Sequence, residues 1–332
     1  MSELVLPSPA LPAPSLAAPQ AAGSMIPAIV AGAGDRATRR FLEFFVATIR
    51  NPNTRAAYHR AVVRFFAWCE QHGIDELTLI EPLHVAAYVE QLGRDFEKPT
   101  VKQHLAAVRM LFDWLVTGGI LSVNPAAPVR GPKHVVKRGR TPVLTPDEAR
   151  QLLDSIDVST VVGLRDRALI ALMTYTFARI GASVAMRVED YYPEGKRWWV
   201  RLHEKGGKEH AMPAHHNLEA WMDAYLHAAD LADQRKTPLF RTTRGRTGVL
   251  TAEGMTRVDA WRMIRRRARA AGIDVAVCCH TFRATGITAY LDNGGTLENA
   301  QLMAAHESPR TTKLYDRTGD EITLDEVERI AI

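Results

Sequence analysis

A segment near the C-terminal end of the sequence reads Ala304-Ala305-His306-Glu307-Ser308-Pro309-Arg310-Thr311-Thr312-Lys313-Leu314-Tyr315. The residues before it, Thr296 to Met303, have the pattern of a short helix, and Ser308-Pro309 has the cap-then-proline signature that begins another. Tyr315 is therefore expected about two turns into that second helix. A histidine in a turn and a tyrosine on the following helix would then lie near each other.

Further upstream the sequence contains His280-Thr281-Phe282-Arg283, which places His280 and Arg283 on one face of a helix. Arg179 follows the apolar run Ala168 to Phe177, where a charge at the end of a buried helix is unusual. Lys205 lies in a predicted glycine-rich turn between two strands. Each feature alone is weak, since surface arginines, lysines and chance His-x-x-Arg pairs are common. Their order along the chain is the informative observation.

The order Arg179, Lys205, His280-x-x-Arg283, His306, Tyr315 resembles that of the tyrosine recombinases, the phage-integrase family. The resemblance covers about Phe41 to Arg317. It implies a site-specific recombinase that cuts and rejoins DNA through a covalent 3′-phosphotyrosyl intermediate, for integration, excision or resolution of DNA. The implied fold is mainly α with a small antiparallel β-sheet, in two domains that form a C-shaped clamp on DNA.

The chemistry of these residue types fits phosphoryl transfer without a metal or another cofactor. Two guanidinium groups, Arg179 and Arg283, can hold the non-bridging oxygens of a five-coordinate phosphorus in a planar, bidentate way. Tyr315 would be the nucleophile and needs nearby positive charge, because a phenol is almost entirely neutral at pH 7. His280 and His306 would orient the phosphate and assist proton movement. By resemblance, Lys205 would protonate the departing 5′ oxygen.

Two positions depart from the family pattern. Family members often carry an acidic residue three positions after the first arginine, where this chain has Ala182, so the ion pair that would orient Arg179 is expected to be missing. The usual Leu-Gly-His appears here as Ala304-Ala305-His306, so the turn lacks its glycine. Neither departure removes a reacting group.

Length and composition predict an ordinary globular protein of about two domains, with 332 residues, 46% hydrophobic residues and a net charge of +5. The charge favours a polyanionic partner such as double-stranded DNA. Three cysteines do not form a disulfide framework, which favours the cytoplasm, and charges interrupt every apolar run, so no membrane segment is predicted. His210, His215 and His216 lack a carboxylate or cysteine at ligand spacing, so no metal site is expected.

The predicted organisation has four parts. Residues 1–34 form an Ala- and Pro-rich lead-in that we expect to be disordered. Residues 35–120 form a helical core-binding domain, with helices begun at Asn53-Thr54 and over Pro82 to Leu92 and Thr100 to Val116. Residues 121–142 form a basic linker, and residues 143–332 form the catalytic domain. The predicted core of the first domain includes aromatic residues at helical spacing: Phe65, Phe66, Trp68, Phe112 and Trp114.

The catalytic domain is predicted to be helical with one small sheet, whose strands are Arg187 to Tyr192, Arg197 to His203 and Lys208 to Pro213. A helix over Thr256 to Ala271 is predicted to turn its apolar side chains inward: Val258, Trp261, Ile264 and Ala268. Basic side chains of the linker and of this helix either contact DNA phosphates or are simply solvated: Lys133, Lys137, Arg138, Arg140, Arg262, Arg265 and Arg266.

Several alternatives remain open at the level of sequence. The family acts as a homotetramer on paired DNA sites, and its C-terminal tail, here Thr323 to Ile332, either docks on a neighbouring protomer or packs on its own domain. A type IB topoisomerase-like enzyme would share the chemistry but relax supercoils as a monomer. A catalytically silent DNA-binding accessory protein would share only the binding.

Overall fold

The computed structural model describes residues 26–136, 139–204, 207–245 and 247–316. The chain forms two compact units that divide between Val135 and Val136. Both are mainly helical in the described ranges, and the small antiparallel sheets lie in the second unit, as the predicted fold class requires. Among the described helices, none combines the length and the apolar character that crossing a bilayer requires.

The N-terminal unit is a bundle of helices. Its α-helices are α1 (Ala28–Gly32), α2 (Asp35–Glu43), α3 (Pro52–Gln71), α4 (Pro82–Asp95) and α5 (Lys98–Thr117). A π-helical turn (Phe44–Thr48) extends α2, and a 3₁₀ turn (Leu77–Leu79) precedes α4. The predicted helices α4 and α5 are confirmed. Helix α4 extends three residues further at its C-terminal end, and α5 extends two residues further at its N-terminal end and one at its C-terminal end.

Two details of this unit differ from the sequence prediction. Helix α3 begins at Pro52, because the side chain of Asn51 accepts hydrogen bonds from the backbone N–H groups of Asn53 and Thr54 at 2.9 and 3.3 Å. Residues 26–34, expected to be disordered, instead include α1, whose Ile29 and Val30 are buried in the core. The rest of the predicted lead-in, residues 1–25, lies outside the described residues.

The core of the N-terminal unit is built from aromatic rings in edge-to-face contact. Phe65 and Phe112 lie with ring centroids 5.9 Å apart at 85°, and Phe65 also meets Tyr88 at 5.1 Å. The predicted core residues Phe65, Phe66, Trp68 and Phe112 are buried, and Trp114 is partly buried against them. The prediction that these aromatic residues are core residues is confirmed.

The C-terminal unit contains eight further α-helices and five strands in its described residues. The helices are α6 (Pro146–Asp154), α7 (Val161–Tyr175), α8 (Ile180–Ala185), α9 (His216–Ala228), α10 (Arg257–Ala270), α11 (Cys279–Asp292), α12 (Leu297–Met303) and α13 (Pro309–Lys313). The strands are β1 (Tyr191–Glu194), β2 (Arg197–His203), β3 (Glu209–Pro213), β4 (Arg241–Thr243) and β5 (Leu250–Gly254).

The sheets are small and antiparallel. Strands β1, β2 and β3 form one sheet in sequence order, with Tyr191 opposite Val200 and Val200 opposite Met212. The predicted strand from Arg187 was wrong in its first half, because Val188–Asp190 form a 3₁₀ turn in which the Asp190 carboxylate accepts from the Arg187 backbone N–H. Strands β4 and β5 form a second, unpredicted hairpin.

Helix α7 is the centre of the second unit and packs against α9 and α11. None of its residues is exposed, and its buried residues include a charged pair, Arg165 and Asp166. Asp166 accepts hydrogen bonds from Arg165 and from Arg267 on α10, at 2.6 to 3.0 Å. This interaction joins α10 to α7.

The rotation of α10 corrects the prediction for its inward face. Ile264 and Ala268 are buried as expected, but Val258 and Trp261 are exposed by 51% and 41%. Ala260 and Met263 fill the core positions instead. The guanidinium of Arg265 stacks over the Trp261 ring at 5.1 Å, so this aromatic residue belongs to the basic surface.

Candidate active site

Helix α11 positions the His-x-x-Arg pair. It begins at Cys279, where the Cys278 backbone N–H donates to Thr281 Oγ1 at 3.1 Å. Gly286, one turn after Arg283, lets α11 approach the end of α7, since a side chain there would meet the carbonyl of Thr174. His280 and Arg283 therefore lie on one helix face beside the turn that follows α7.

Tyr315 lies directly over this face. Its hydroxyl oxygen is 2.5 Å from His280 Nε2, and its ring is stacked on His306 with centroids 5.8 Å apart at 7°. The Thr288 hydroxyl donates to the backbone carbonyl of Tyr315 at 3.0 Å and fixes this part of the chain to α11. Helix α13 is only one turn long, so Tyr315 lies just beyond its end and not two turns into it, as predicted.

His306 is buried in the turn between α12 and α13. Its Nδ1 is 2.9 Å from the Thr312 hydroxyl, and Gln301 donates to its backbone carbonyl at 3.1 Å. Ala305 before it has φ +46°, a left-handed conformation that glycine adopts more easily. The missing family glycine therefore does not change the direction of the turn, because Ala305 takes the conformation that a glycine would.

Arg283 is fully buried and ties two parts of the site together. Its Nη1 donates to the backbone carbonyl of Phe177, and its Nη2 donates to that of Ala304 at 2.5 Å. Phe177 itself has φ +54°. Arg283 thus joins the turn after α7 to the turn that contains His306.

Arg179 lies at the N-terminal end of α8 and has a carboxylate partner after all. Its Nη1 is 2.6 Å from Oε2 of Glu204, a residue that follows strand β2. Ala182 cannot form the ion pair with Arg179 that an acidic residue at that position would form. Glu204 of the β2–β3 hairpin supplies the carboxylate instead. Glu204 was not among the predicted site residues; its place directly before Lys205 is the one signal that could have identified it.

The other predicted site residues fall into those outside the described ranges and those on the surface. Lys205, Lys137 and Arg138 lie outside the described residues. Lys133, Arg140, Arg262 and Arg265 are exposed, and Arg266 is exposed with one guanidinium nitrogen 3.4 Å from Asp166. His215 stacks on Tyr175 and contacts His216 with tilted rings, and no group of three or more His, Cys, Asp or Glu within the described ranges is arranged to hold a metal ion.

The electrostatics of the cluster keep its histidines neutral. Burial, together with the positive charges of Arg283 and Arg179, lowers the pKa of His306 to about 3 and also lowers the pKa of His280. Burial raises the pKa of Tyr315, while the two arginines oppose this rise. Burial and the neighbouring charge of Arg179 lower the pKa of Arg283 to about 10, so it remains cationic at pH 7.

Two family models match this chain. The model of the phage integrase family matches residues 142–321, more than half of the chain, and the model of the phage integrase N-terminal SAM-like domain matches residues 39–119. The chain belongs to the phage integrase family. This assignment confirms the family predicted from the sequence and, with it, a tyrosine-type site-specific DNA recombinase.

Individual relatives agree with the family assignment. The tyrosine recombinase XerD of Chlorobaculum tepidum is 28% identical over 271 residues, which cover 79% of this chain and 85% of the relative. The XerH site-specific recombinase bound to difH substrate has a similar fold, with a TM-score of 0.62 at 17% identity over 83% of this chain and 78% of that one. A lambda integrase tetramer bound to a Holliday junction gives a TM-score of 0.62 at 18% identity over 86% and 78%.

Proposed function

We propose that Tyr315 is the nucleophile that attacks a scissile phosphate in duplex DNA. The observation that carries the proposal is the 2.5 Å contact between the Tyr315 hydroxyl and His280 Nε2. A phenol needs a base or nearby positive charge to react at neutral pH, and this one has both in reach. The lowered pKa of His280 leaves the imidazole neutral and able to accept the phenol proton.

The proposed step is a transesterification. The Tyr315 oxygen forms a bond to phosphorus while the bond from phosphorus to the 5′ oxygen breaks. The phenol proton passes to His280, and the leaving 5′ oxygen takes a proton from Lys205, a role assigned by family resemblance. The product is a 3′-phosphotyrosyl link, which conserves bond energy and lets a second strand reverse the attack.

Arg179 and Arg283 would stabilise the charge that develops on the non-bridging oxygens. Arg283 has no exposed surface and donates to two backbone carbonyls. For a phosphate to reach it, the segment from Ala304 to Tyr315 has to shift when DNA enters. In this proposal His306, held by Thr312, moves with that segment and contacts the phosphate.

The proposed assembly is a homotetramer in the cytoplasm acting on paired DNA sites, with both units of each protomer on the duplex. The solved relatives bound to DNA, including a tetramer on a Holliday junction, support this proposal. Exposed basic residues of the linker and of α10 would contact phosphates. Exchange of the tail from Thr323 to Ile332 between protomers would join neighbouring copies.

A nicked suicide duplex tests this function. Fragments of the DNA that flanks the coding gene are nicked, incubated with the protein and analysed under denaturing conditions, and trapped ends are mapped. We expect covalent protein on a 3′ end, and we expect Tyr315→Phe, which keeps the ring stack on His306, to abolish it. Trapping that survives this substitution would exclude Tyr315 as the nucleophile.

The same preparation separates the two alternatives. A type IB topoisomerase-like enzyme would relax a supercoiled plasmid that contains no paired target sites. A silent accessory protein would bind the fragments but would not be trapped on any of them. A recombinase would be trapped on the fragments and would also give recombinant products, which would form only when two target sites are present.

A further inference from the structure

The ion pair between Arg179 and Glu204 is built into the interior of the site. Nη1 and Oε2 are 2.6 Å apart, and the Glu204 side chain is only 4% exposed, whereas that of Arg179 is 37% exposed. A carboxylate buried to this degree is costly unless it is paired. Solvent therefore reaches the pair on the side of Arg179, whereas the Glu204 carboxylate is enclosed by the protein.

Two backbone hydrogen bonds connect Glu204 to the other side of the β2–β3 hairpin. The Glu204 N–H donates to the Lys208 carbonyl at 2.8 Å, and the Gly207 N–H donates to the Glu204 carbonyl at 3.3 Å. Gly207 has φ +79°, which favours glycine at that position. These hydrogen bonds hold Glu204 at the end of strand β2, where its carboxylate reaches Arg179.

Position 182 is a second position from which a carboxylate could pair with Arg179. Arg179 is the N-cap of α8 and Ala182 is its third helical residue, from which a glutamate side chain can reach back toward the cap. This chain has a buried alanine there, and the carboxylate comes from the hairpin instead.

We propose that Glu204 is a positioning residue for Arg179: its buried carboxylate holds the guanidinium in a fixed orientation at the site. The inference rests on the proposed function, since it assigns how one member of that site is oriented. Glu204 takes a hydrogen bond from Nη1, which leaves Nε and Nη2 of Arg179 to face a phosphate in a bidentate manner.

The carboxylate also offsets repulsion between the two arginines. The charge of Arg179 lowers the pKa of Arg283, after the larger effect of burial, and the charge of Glu204 opposes this change. Removal of Glu204 would leave two neighbouring guanidinium groups with less compensation. We therefore expect Arg179 to turn toward solvent and to lose its orientation for phosphate.

The test measures the single-turnover rate of covalent trapping at saturating protein, together with the Kd for the same DNA. The probe is a nicked duplex fragment that traps the unsubstituted protein. Glu204→Ala should slow trapping on the order of 100-fold, the size of effect that a displacement of about 1 Å can have, while the Kd changes by less than about three-fold. Glu204→Gln keeps the shape of the side chain but not its charge. Its trapping rate should lie between that of the unsubstituted protein and that of Glu204→Ala.

Relocation of the charge distinguishes positioning from general structural damage. Ala182→Glu in the Glu204→Ala background should recover at least about ten-fold of the lost rate, because the carboxylate again reaches Arg179 from its own helix. Glu209→Ala is the matched control on the same hairpin. Its side chain is 67% exposed and lies 3.5 Å from His203, so its loss should leave the rate within about two-fold.

Three results would contradict the inference. Trapping by Glu204→Ala and Glu204→Gln at the unsubstituted rate overturns the inference and leaves the proposed function intact. A Kd that rises as much as the rate falls, with no recovery from Ala182→Glu and a lowered Tm, assigns Glu204 a purely structural role and also overturns it. If the unsubstituted protein traps no fragment, the proposed function fails and the inference fails with it.

Discussion

The two units of this protein are stabilised by different means. In the described part of the N-terminal unit, the fully buried side chains are apolar. The C-terminal unit has an apolar core of similar kind, but it also contains every buried polar or charged residue of the described ranges: Arg165, Asp166, Thr176, Ser183, Asp190, Glu204, Thr281, Arg283, Thr285, Thr288, His306 and Thr312.

This difference fits the roles that we propose for the two units. A bundle that presents a surface to DNA can be stabilised by packing alone, and phenylalanine rings suffice. A site that transfers a phosphoryl group needs cations and proton carriers at fixed positions, and those groups must be held by other polar groups inside the fold. The polar interior is therefore where single substitutions should have the largest effect.

The largest expected effect on stability is that of Asp166→Ala. Asp166 is fully buried and pairs with Arg165 and Arg267, so its loss leaves two enclosed guanidinium groups without a counter-charge. We expect the free energy of unfolding of the C-terminal unit to fall by about 5 kcal/mol. Urea denaturation measures this loss of free energy, and hydrogen exchange in α7 and α10 shows that it lies in the C-terminal unit.

The control for that substitution is Asp147→Ala. Asp147 pairs with Arg150 at a similar distance, 2.7 Å, but both side chains are exposed. Its loss should cost less than about 1 kcal/mol. Equal effects from the two substitutions would mean that burial does not distinguish these ion pairs.

Phe65→Ala tests the other side of the comparison. Phe65 is fully buried among Phe66, Tyr88 and Phe112, and its truncation should cost the N-terminal unit about 4 kcal/mol. Hydrogen exchange should accelerate in α3, α4 and α5 and remain unchanged in α7. Exchange that rises equally in both units would show that they unfold together. Leu83→Ala, at a side chain that is 73% exposed, should change little.

Much of the N-terminal unit could be predicted from sequence because its burial follows the helical period. Helices α4 and α5 and the aromatic core were predicted from apolar spacing alone. Residues 26–34 were not, because Ile29 and Val30 lie in a short helix that is stable only when it packs on the bundle.

The C-terminal unit was harder to predict because its polar contacts are between residues far apart in sequence. Asp166 on α7 pairs with Arg267 on α10, about 100 positions away, and Trp261 of the same helix lies on the surface. Glu204 replaces a carboxylate expected at position 182. The six candidate site residues were selected from motif order, but the partners that hold them, including Thr288 and Thr312, have no local sequence signal.

A smaller effect than those of Asp166→Ala and Phe65→Ala is expected in the pH dependence of the free energy of unfolding. His306 has an ordinary pKa near 6.5 in the unfolded chain and a pKa of about 3 in the folded one. Between these values only the unfolded chain binds the proton, so stability falls as the pH is lowered from 6.5 toward 3, by up to about 1.4 kcal/mol per pH unit. His306→Gln should reduce this slope between pH 6.5 and 5 in urea denaturation. His280, with its lowered pKa, would retain part of the slope, and exposed His227→Gln should leave it unchanged.

The smallest expected effect is a gain in stability from Ala305→Gly. Ala305 has φ +46°, where a side chain costs on the order of 1 to 3 kcal/mol that glycine avoids. Glycine also makes the unfolded chain more flexible, so the net gain should be about 1 kcal/mol. The same change at Ala220, an exposed residue within α9, should instead cost about 1 kcal/mol. Opposite signs in urea denaturation would confirm that the strain lies in the turn before His306. A loss at both positions would mean that the Ala305 side chain contributes contacts worth more than its strain.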